Sequence, residues 1–500
     1  MLVVILVVGA FLRLYKIDQY MTFLGDEGRD VIIVRRLLVY FDPILIGPGT
    51  SIGNMYLGPL YYYMMALPLL VANFSPVGPA VLVALLGLAA IALIWRVGRE
   101  WFPTSPDSVG IRGASGLIAA GLYAISPTVI IYSRSSWNPN IMPFFSLLSV
   151  YSVWKMWHEH KYKWLIVLGV SYAFVLQSHY LGLLLLPTLG LFWLISLKSF
   201  RQKNQEKRRF IKYSVIGILI FLFLMSPLVI FDARHGWRNY AAMKQFITVR
   251  QDTVSIKPWK AIPNMWPIFE KANTRLLAAR NEIVGKIVSL VLLFWVGWII
   301  AGWRKINRRS RVVYGLLFTW LAFSLIGLGL YKQQIYDHYF GFMFSVPFLL
   351  VGGLAKNLFR NEKYKVLIYI VLLVLVFINL NKTPIRFPPD MQLPRTEVVA
   401  KFIYEKSGGE RFNIATISER NNRDVYQYFL LLWGAKVVDT DPSALKYTVT
   451  DQLFVVCEMP KEKCDPTHDP SAWITNFGWT KIVDEWEVWG ANVYKLGHTK

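Results

Sequence analysis

The chain has 500 residues, 55% of them hydrophobic and 17% charged, with a mean hydropathy of +0.39. Soluble domains carry about 25% charged residues, so an ordinary soluble enzyme is excluded at once. Lys and Arg outnumber Asp and Glu by 54 to 31, a net +23, yet the excess does not mark a nucleic-acid binder. Residues 1–384 hold 40 basic and 15 acidic groups, whereas 385–500 hold 14 and 16, and the basic groups fall between long apolar runs. Two cysteines exclude a disulfide scaffold and any Cys-rich zinc or iron–sulfur site.

A bilayer core about 30 Å thick takes roughly 20 apolar residues as helix. Eleven such runs are bounded by charge, near 1–14, 77–95, 113–131, 140–157, 163–178, 180–197, 212–231, 284–303, 312–330, 340–356 and 365–380. The first lacks Ala-x-Ala-like cleavage chemistry and leads directly into Arg13 and Lys16, so it reads as an uncleaved span. The stretch 55–74 is long enough to cross, but it holds Gly58, Pro59, Pro68 and three consecutive tyrosines. That composition suits an interfacial or re-entrant piece better, and counting it as a span would invert everything after it.

Charge then sets the sidedness. If 55–74 does not cross, the loops 96–112, 155–163, 198–212, 304–311 and 356–365 fall on one side with 22 Lys and Arg, including Arg201, Lys203, Lys207, Arg208 and Arg209. The short turns near 132–139, 177–180 and 331–339 hold only Arg134 and Lys332. The positive-inside rule predicts the first set and the N-terminus in the cytoplasm. The second set, the stretch 15–76, the loop 232–283 and the C-terminal domain then face outward from the plasma membrane.

After a linker at 385–390, helix and strand patterns alternate. Helices are predicted at Glu397–Ser407 and Asp424–Trp433, and strands at Phe412–Ile417, Lys436–Asp439 and Gln452–Glu458, with a hairpin of 481–489 and 492–496 turned at Gly490-Ala491. The expected fold is a polytopic all-α membrane protein of about eleven spans (1–384) with a small extracytoplasmic α/β domain (385–500). In that compartment disulfides persist, which favours a Cys457–Cys464 bridge over free thiols. The domain's scattered acids read as surface groups, and its roles as acceptor binding or capping of the active-site face.

Five polar turns share the outward side. They are Gly25-Asp26-Glu27-Gly28-Arg29-Asp30, Ser133-Arg134-Ser135-Ser136-Trp137-Asn138-Pro139-Asn140, Gln177-Ser178-His179-Tyr180, Phe231-Asp232-Ala233-Arg234-His235-Gly236-Trp237 and Gln333-Gln334-Ile335-Tyr336-Asp337-His338-Tyr339. Each has a plain alternative: a solvated flank for Asp26, a tight turn at Asn138-Pro139, interfacial anchoring for His179 and Tyr180. Their gathering on one membrane face reads as a shared aqueous site. His158 and His160, beside Lys161 on the other side, read as surface groups. A carboxylate such as Asp26 could take a proton from an acceptor hydroxyl. Arg29, Arg134, Arg234 or His338 could hold a departing phosphate, and tyrosines of 55–74 such as Tyr61 could stack on a sugar. A transporter or flippase is the competing class, but no inverted repeat is evident and the spans are nearly free of ionisable groups.

The order of these pieces resembles the membrane glycosyltransferases of the C-type fold. The branch is the one containing protein O-mannosyltransferases, the lipid A aminoarabinose transferase and the bacterial Rgt-type sugar transferases. The resemblance covers roughly 1–380. It rests on Asp26-Glu27 with Arg29 after the first span, Gly-Pro-Leu-Tyr-Tyr-Tyr at 58–63, and Arg-x-x-Trp-Asn-Pro-Asn at 134–140. It also rests on His179, on Asp232-Ala-Arg-His235, and on Asp337-His338-Tyr339. The resemblance implies a polyprenyl-phosphate sugar as donor and a glycan, lipid or protein as acceptor. It further implies inversion at the anomeric carbon, Asp26 as general base, and Glu27 as its partner or the alternative base. By the same likeness Arg29, Tyr61, Arg134, Asn138, His179, Asp232, Arg234, His235, Asp337, His338 and Tyr339 become substrate-binding candidates. No spacing demands a divalent metal, though Asp26, Glu27, His179 and His338 could supply ligands. The Trp-Trp-Asp signature of the oligosaccharyltransferase branch is missing, which counts against transfer of a preassembled glycan to asparagine.

Overall fold

The computed structural model describes residues 1–50, 55–104, 113–200, 204–248, 253–255, 257–359 and 362–499. Arg201 and Lys203 of the basic cluster lie outside the described residues. In chain order the main helices are α1 (Leu2–Leu14), α2 (Gly25–Tyr40), α3 (Leu60–Val71), α4 (Val77–Trp101), α5 (Ala114–Ile125) and α6 (Pro127–Tyr132). They continue with α7 (Met142–Trp157), α8 (Trp164–Ser178), α9 (Leu186–Lys198), α10 (Asn204–Arg234), α11 (Arg238–Thr248) and α12 (Ile262–Leu276). The last are α13 (Glu282–Ala301), α14 (Arg308–Gly329), α15 (Ser345–Leu358), α16 (Glu362–Asn381), α17 (Gln392–Lys406) and α18 (Asp424–Leu432).

Each of the eleven apolar runs coincides with a helix or a broken helix pair. Among the described residues, five stretches are long and apolar enough to cross a bilayer unaided: Val77–Trp101, Tyr180–Lys198, Asn204–Arg234, Glu282–Ala301 and Arg308–Gly329. A sixth forms if Asp337–Met343 and Ser345–Leu358, bent by 57°, count as one span. The α3 helix has 12 residues, about 18 Å at 1.5 Å per residue, so it is too short to cross as a helix.

Prolines explain the broken spans. Short 3₁₀ turns at Asn138–Ile141, Tyr180–Leu185 and Asp337–Met343 precede α7, α9 and α15, whose first turns contain Pro143, Pro187 and Pro347. Proline is tolerated in a first helical turn and cannot extend a helix backwards. Three of the polar turns therefore stand at helix starts.

By contacts the chain forms two compact units, one holding 1–15, 43–65 and 79–387, the other 16–42, 66–78 and 388–500. In the first, α8 and α10 meet at glycine. A Cβ on Gly169 would lie 2.2 Å from the Gly217 carbonyl oxygen, the close approach that membrane helices use where hydrophobicity alone does not hold them together. The α5–α6 break carries an unusual partner. Pro127 has no N–H to donate to the Tyr123 carbonyl, one turn back. The buried Arg13 of α1 supplies the missing donors, with Nη1 to Ala124 O at 2.9 Å and to Gly9 O at 3.2 Å, and Nη2 to Tyr123 O at 3.5 Å. Ser126 and Thr128 at the same break donate to the Leu276 and Arg275 carbonyls, both at 2.7 Å. This anchors the end of α12.

In the second unit four strands, β1 (Asn413–Ile417), β2 (Gln452–Cys457), β3 (Thr480–Val488) and β4 (Ala491–His498), pair in the order β1-β2-β4-β3. The β1–β2 pair is parallel and the others antiparallel. Every β2 residue is buried, as suits a central strand covered on both faces. Trp489 and Gly490 turn the hairpin at φ 47° and 72°, as a two-residue primed turn requires. Cys457 and Cys464 are disulfide-bonded, with Cα atoms 6.0 Å apart. Two local expectations change. The helix predicted from Glu397 starts at Gln392, because Pro394 is accepted within its first turn. The strand predicted at Lys436–Asp439 reduces to one bridge, Val437 to Phe412, because the Asn413 side chain takes the Val438 carbonyl and ends the pairing.

Candidate active site

The second unit carries the acidic turn as the first turn of α2. Thr22 Oγ1 and the Leu24 N–H donate to the two Glu27 oxygens at 2.8 and 3.1 Å, so Glu27 closes a capping box on its own helix. It is 4% exposed, and burial raises its pKa to about 7. Asp26 points the other way. Its side chain is 49% exposed and accepts from Arg29 Nη1 at 2.8 Å. Arg29 turns its remaining donors to buried Asp30, with Nη2 at 2.7 Å and Nε at 3.0 Å. The adjacent carboxylates thus have different environments: one solvated and held by a cation, the other spent on the fold.

A carboxyl with a raised native pKa stabilises the fold below its unfolded pKa, and that stabilisation is lost as pH rises through the native value. For Glu27 the window runs from about 4.5 to about 7 and is worth on the order of 3 kcal/mol. Thermal unfolding of the detergent-solubilised protein is expected to show decreasing stability across this window. Glu27→Gln should flatten the dependence, because a neutral amide keeps an acceptor for Leu24 N–H. An unchanged slope in that variant would assign the effect elsewhere.

The remaining polar turns belong to the first unit, where four of them interlock. Arg134 is buried and donates to Tyr15 O at 2.9 Å. The Tyr61 hydroxyl donates to the Ser136 carbonyl, and Asn138 donates to Ser178 O at 2.7 Å, joining the second turn to the third. His179 Nδ1 accepts from Leu181 N–H at 3.2 Å, and burial beside His338 holds its pKa well below the usual histidine range. The His338 ring lies 4.6 Å from Trp137, 4.6 Å from Tyr339 and 5.8 Å from His179 by centroids. Tyr180 and Phe246 approach to 6.4 Å, bringing in the fourth turn's helix α11.

Three candidates take structural partners. Asp232 is buried and accepts the Asn239 and Tyr240 N–H groups at 2.7 and 3.1 Å, capping α11. Asp337 pairs with Arg280 at 2.8 Å and Arg275 at 3.4 Å. The exposed His235 bonds the Phe231 carbonyl at 2.8 Å and stacks on that ring, and Arg234 is exposed. Losing the Asp232 cap should cost about 1 kcal/mol. Limited proteolysis within 238–248 is expected to accelerate in Asp232→Ala and much less in Asp232→Asn, which keeps an acceptor. Among the described residues no three His, Cys, Asp or Glu side chains gather as metal ligands.

Sequence reasoning missed the cations of α12 and of the turn after it. Lys271 donates to Ile335 O at 2.5 Å, and Arg275 and Arg280 hold Asp337. Lys271 and Arg275 are four apart, on one helical face. That spacing was readable, but the segment sits within a 52-residue connection that suggested a loop.

Residues 57–231 match the family model described as dolichyl-phosphate-mannose-protein mannosyltransferase. No curated protein matches the chain in sequence. In structure it is similar to the archaeal oligosaccharyltransferase AglB from Archaeoglobus fulgidus, solved with an inhibitory peptide and a dolichol-phosphate. The TM-score is 0.50 at 12% identity, covering 91% of this chain and 68% of that one. The apo form of the Archaeoglobus fulgidus oligosaccharyltransferase gives 0.51 at 13%, with 91% and 69% covered. ArnT from Cupriavidus metallidurans, bound to undecaprenyl phosphate, gives 0.49 at 13%, with 99% and 97% covered. The family model matches residues 57–231 only, and the likeness in structure shows that the chain shares the helical fold of the Archaeoglobus fulgidus oligosaccharyltransferase.

Proposed function

We propose that the chain moves a sugar from a polyprenyl-phosphate donor to an acceptor hydroxyl or amine on a glycan, lipid or protein. The transfer takes place on the extracytoplasmic face of the plasma membrane with inversion at the anomeric carbon, and Asp26 is the general base. The observation that carries the reading is the solvated Asp26 carboxylate, held by Arg29 at 2.8 Å while Glu27 beside it is buried. Asp26 takes the proton of the acceptor oxygen as that oxygen bonds to the anomeric carbon. The bond from that carbon to the phosphate oxygen breaks, and the lipid phosphate leaves with the electron pair.

A departing phosphate calls for cations and hydrogen-bond donors. Arg134, Lys271, Arg275, Arg280 and His338 are of the required chemistry, and Trp137, Tyr180 and Tyr339 offer faces for a sugar. The donor class is supported by the family description, which names dolichyl-phosphate-mannose, and by the dolichol-phosphate in the Archaeoglobus structure. The excess of Lys and Arg in alternate loops supports a cytoplasmic N-terminus. Residues 1–384 then form the transferase portion, and 385–500 an extracytoplasmic domain toward the acceptor.

Membranes containing the protein, given radiolabelled polyprenyl-phosphate sugars, are expected to transfer label to an acceptor and release free lipid phosphate in equal amount. Translocation of intact donor without released lipid phosphate would support a flippase and overturn the enzyme reading.

A further inference from the structure

The acidic turn of α2 is not built by the membrane helices around it in sequence. It is pressed against the first turn of α18, almost 400 residues further along. A Cβ on Gly28 would stand 2.6 Å from Val425 N, 2.7 Å from Val425 Cα and 2.8 Å from the Asp424 carbonyl carbon. A Cβ on Gly25 would stand 2.3 Å from Asn422 Nδ2. Two glycines, one on either side of Asp26-Glu27, thus let the start of one helix touch the start of another. Neither needs glycine for its backbone conformation, since neither has positive φ. Space alone explains both.

The contact continues beyond the glycines. Phe23 is fully buried, with its ring centroid 5.9 Å from Phe429 and 6.5 Å from Tyr428. Asn422 Oδ1 accepts the Asp424 N–H at 2.9 Å, shaping the turn that meets Gly25. Arg423 holds Asp439 at 2.7 Å and lies over the Trp473 ring at 3.5 Å, tying that turn to its own domain. Burial raises the Asp424 carboxyl above the usual carboxylate range, and it feels the charges of Arg423, Arg29 and Asp26. The chemistry-bearing turn and the α18 turn therefore share one electrostatic neighbourhood as well as one packing contact.

We propose that the turn 422–425 of the C-terminal domain is a positioning element for Asp26: by packing on Gly25 and Gly28 it sets where the carboxylate stands, so the soluble domain is a working part of the transfer step and not only a cover or acceptor platform. This rests on the reading of Asp26 as base. A catalytic group displaced by about 1 Å can lose on the order of 10²-fold in rate, and a methyl at Gly28 has only backbone to push against.

The test uses the full-length protein in membranes or detergent, assayed with one polyprenyl-phosphate sugar, alongside wild type and Asp26→Asn. Gly25→Ala and Gly28→Ala are each expected to lower kcat by about 10- to 100-fold with the donor KM and thermal midpoint near wild type. Asn422→Ala added to Gly25→Ala should restore part of the lost kcat, because the obstructing atoms are in the Asn422 side chain, whose bond to the Asp424 N–H is lost with it. The same change added to Gly28→Ala should restore nothing, because that obstruction is backbone. Wild-type kcat in both glycine variants, while Asp26→Asn is inactive, overturns the positioning role and leaves the base standing. An active Asp26→Asn overturns both. Equal rescue of the two glycine variants, or a fall in kcat that merely follows loss of folded protein, also overturns the proposal.

Discussion

Asp26→Asn is expected to lower the rate of sugar transfer by about 10²- to 10⁴-fold, the usual contribution of a positioned general base. That corresponds to about 3–5 kcal/mol of barrier. The substitution keeps the side chain's shape and an oxygen for Arg29, but the amide cannot accept the acceptor's proton at neutral pH. Insertion, folding and donor affinity should be near wild type, so the loss belongs to kcat. Glu27→Gln provides the contrast. Its carboxyl is buried in a capping box, and a neutral isostere there should leave the transfer rate within a few-fold of wild type while altering pH-dependent stability. Steady-state transfer with the two variants side by side decides the assignment. If Glu27→Gln is the inactive one, the roles drawn from exposure are reversed.

The second large effect is on stability. Arg13→Leu removes the donors that satisfy the Tyr123 and Ala124 carbonyls at the Pro127 break and puts nothing polar in their place. In hydrocarbon surroundings an unpaired carbonyl has no water to turn to, and each orphaned buried group costs about 1–3 kcal/mol. The expected loss is about 2–4 kcal/mol, read as a lower thermal midpoint in detergent. Arg13→Lys should recover part of it, since an ammonium lacks the planar fork that reaches separate carbonyls at once. Pro127→Ala in the Arg13→Leu background should also recover part, because it returns an N–H to the Tyr123 carbonyl. Failure of Pro127→Ala to help would place the cost elsewhere, for instance in the lost packing of a fully buried side chain.

Much of the architecture was legible before any coordinates. The eleven apolar runs became helices because run length is a local property. The breaks at Pro127, Pro143, Pro187 and Pro347 were visible as prolines, though their conversion into 3₁₀ turns that present polar residues was not. In the C-terminal domain the β2 run and the Trp489-Gly490 turn carried strong local signals. Lys436–Asp439 carried the same kind of signal, and there a single asparagine side chain outcompeted the ladder. The candidate site was less legible. Asp232 and Asp337 read as chemistry from their neighbours in sequence, yet one caps a helix and the other holds two arginines. Arg275 and Arg280, which the sequence hid in a long connection, stand at Asp337, where Ser126 and Thr128 anchor the end of α12 and Arg280 follows in the turn after it.

The amino-acid order alone established a polytopic helical protein, its polar turns and an α/β domain after the last span, because apolar run length, helix stops and turn residues act over a few neighbours. Tertiary structure decided the rest: that Asp26 is solvated while Glu27 is buried, that Arg13 serves a proline break more than a hundred residues away, and that residues 422–425 abut Gly25 and Gly28. A carboxylate's exposure and partner depend on which distant backbone packs beside it, and no local pattern encodes that.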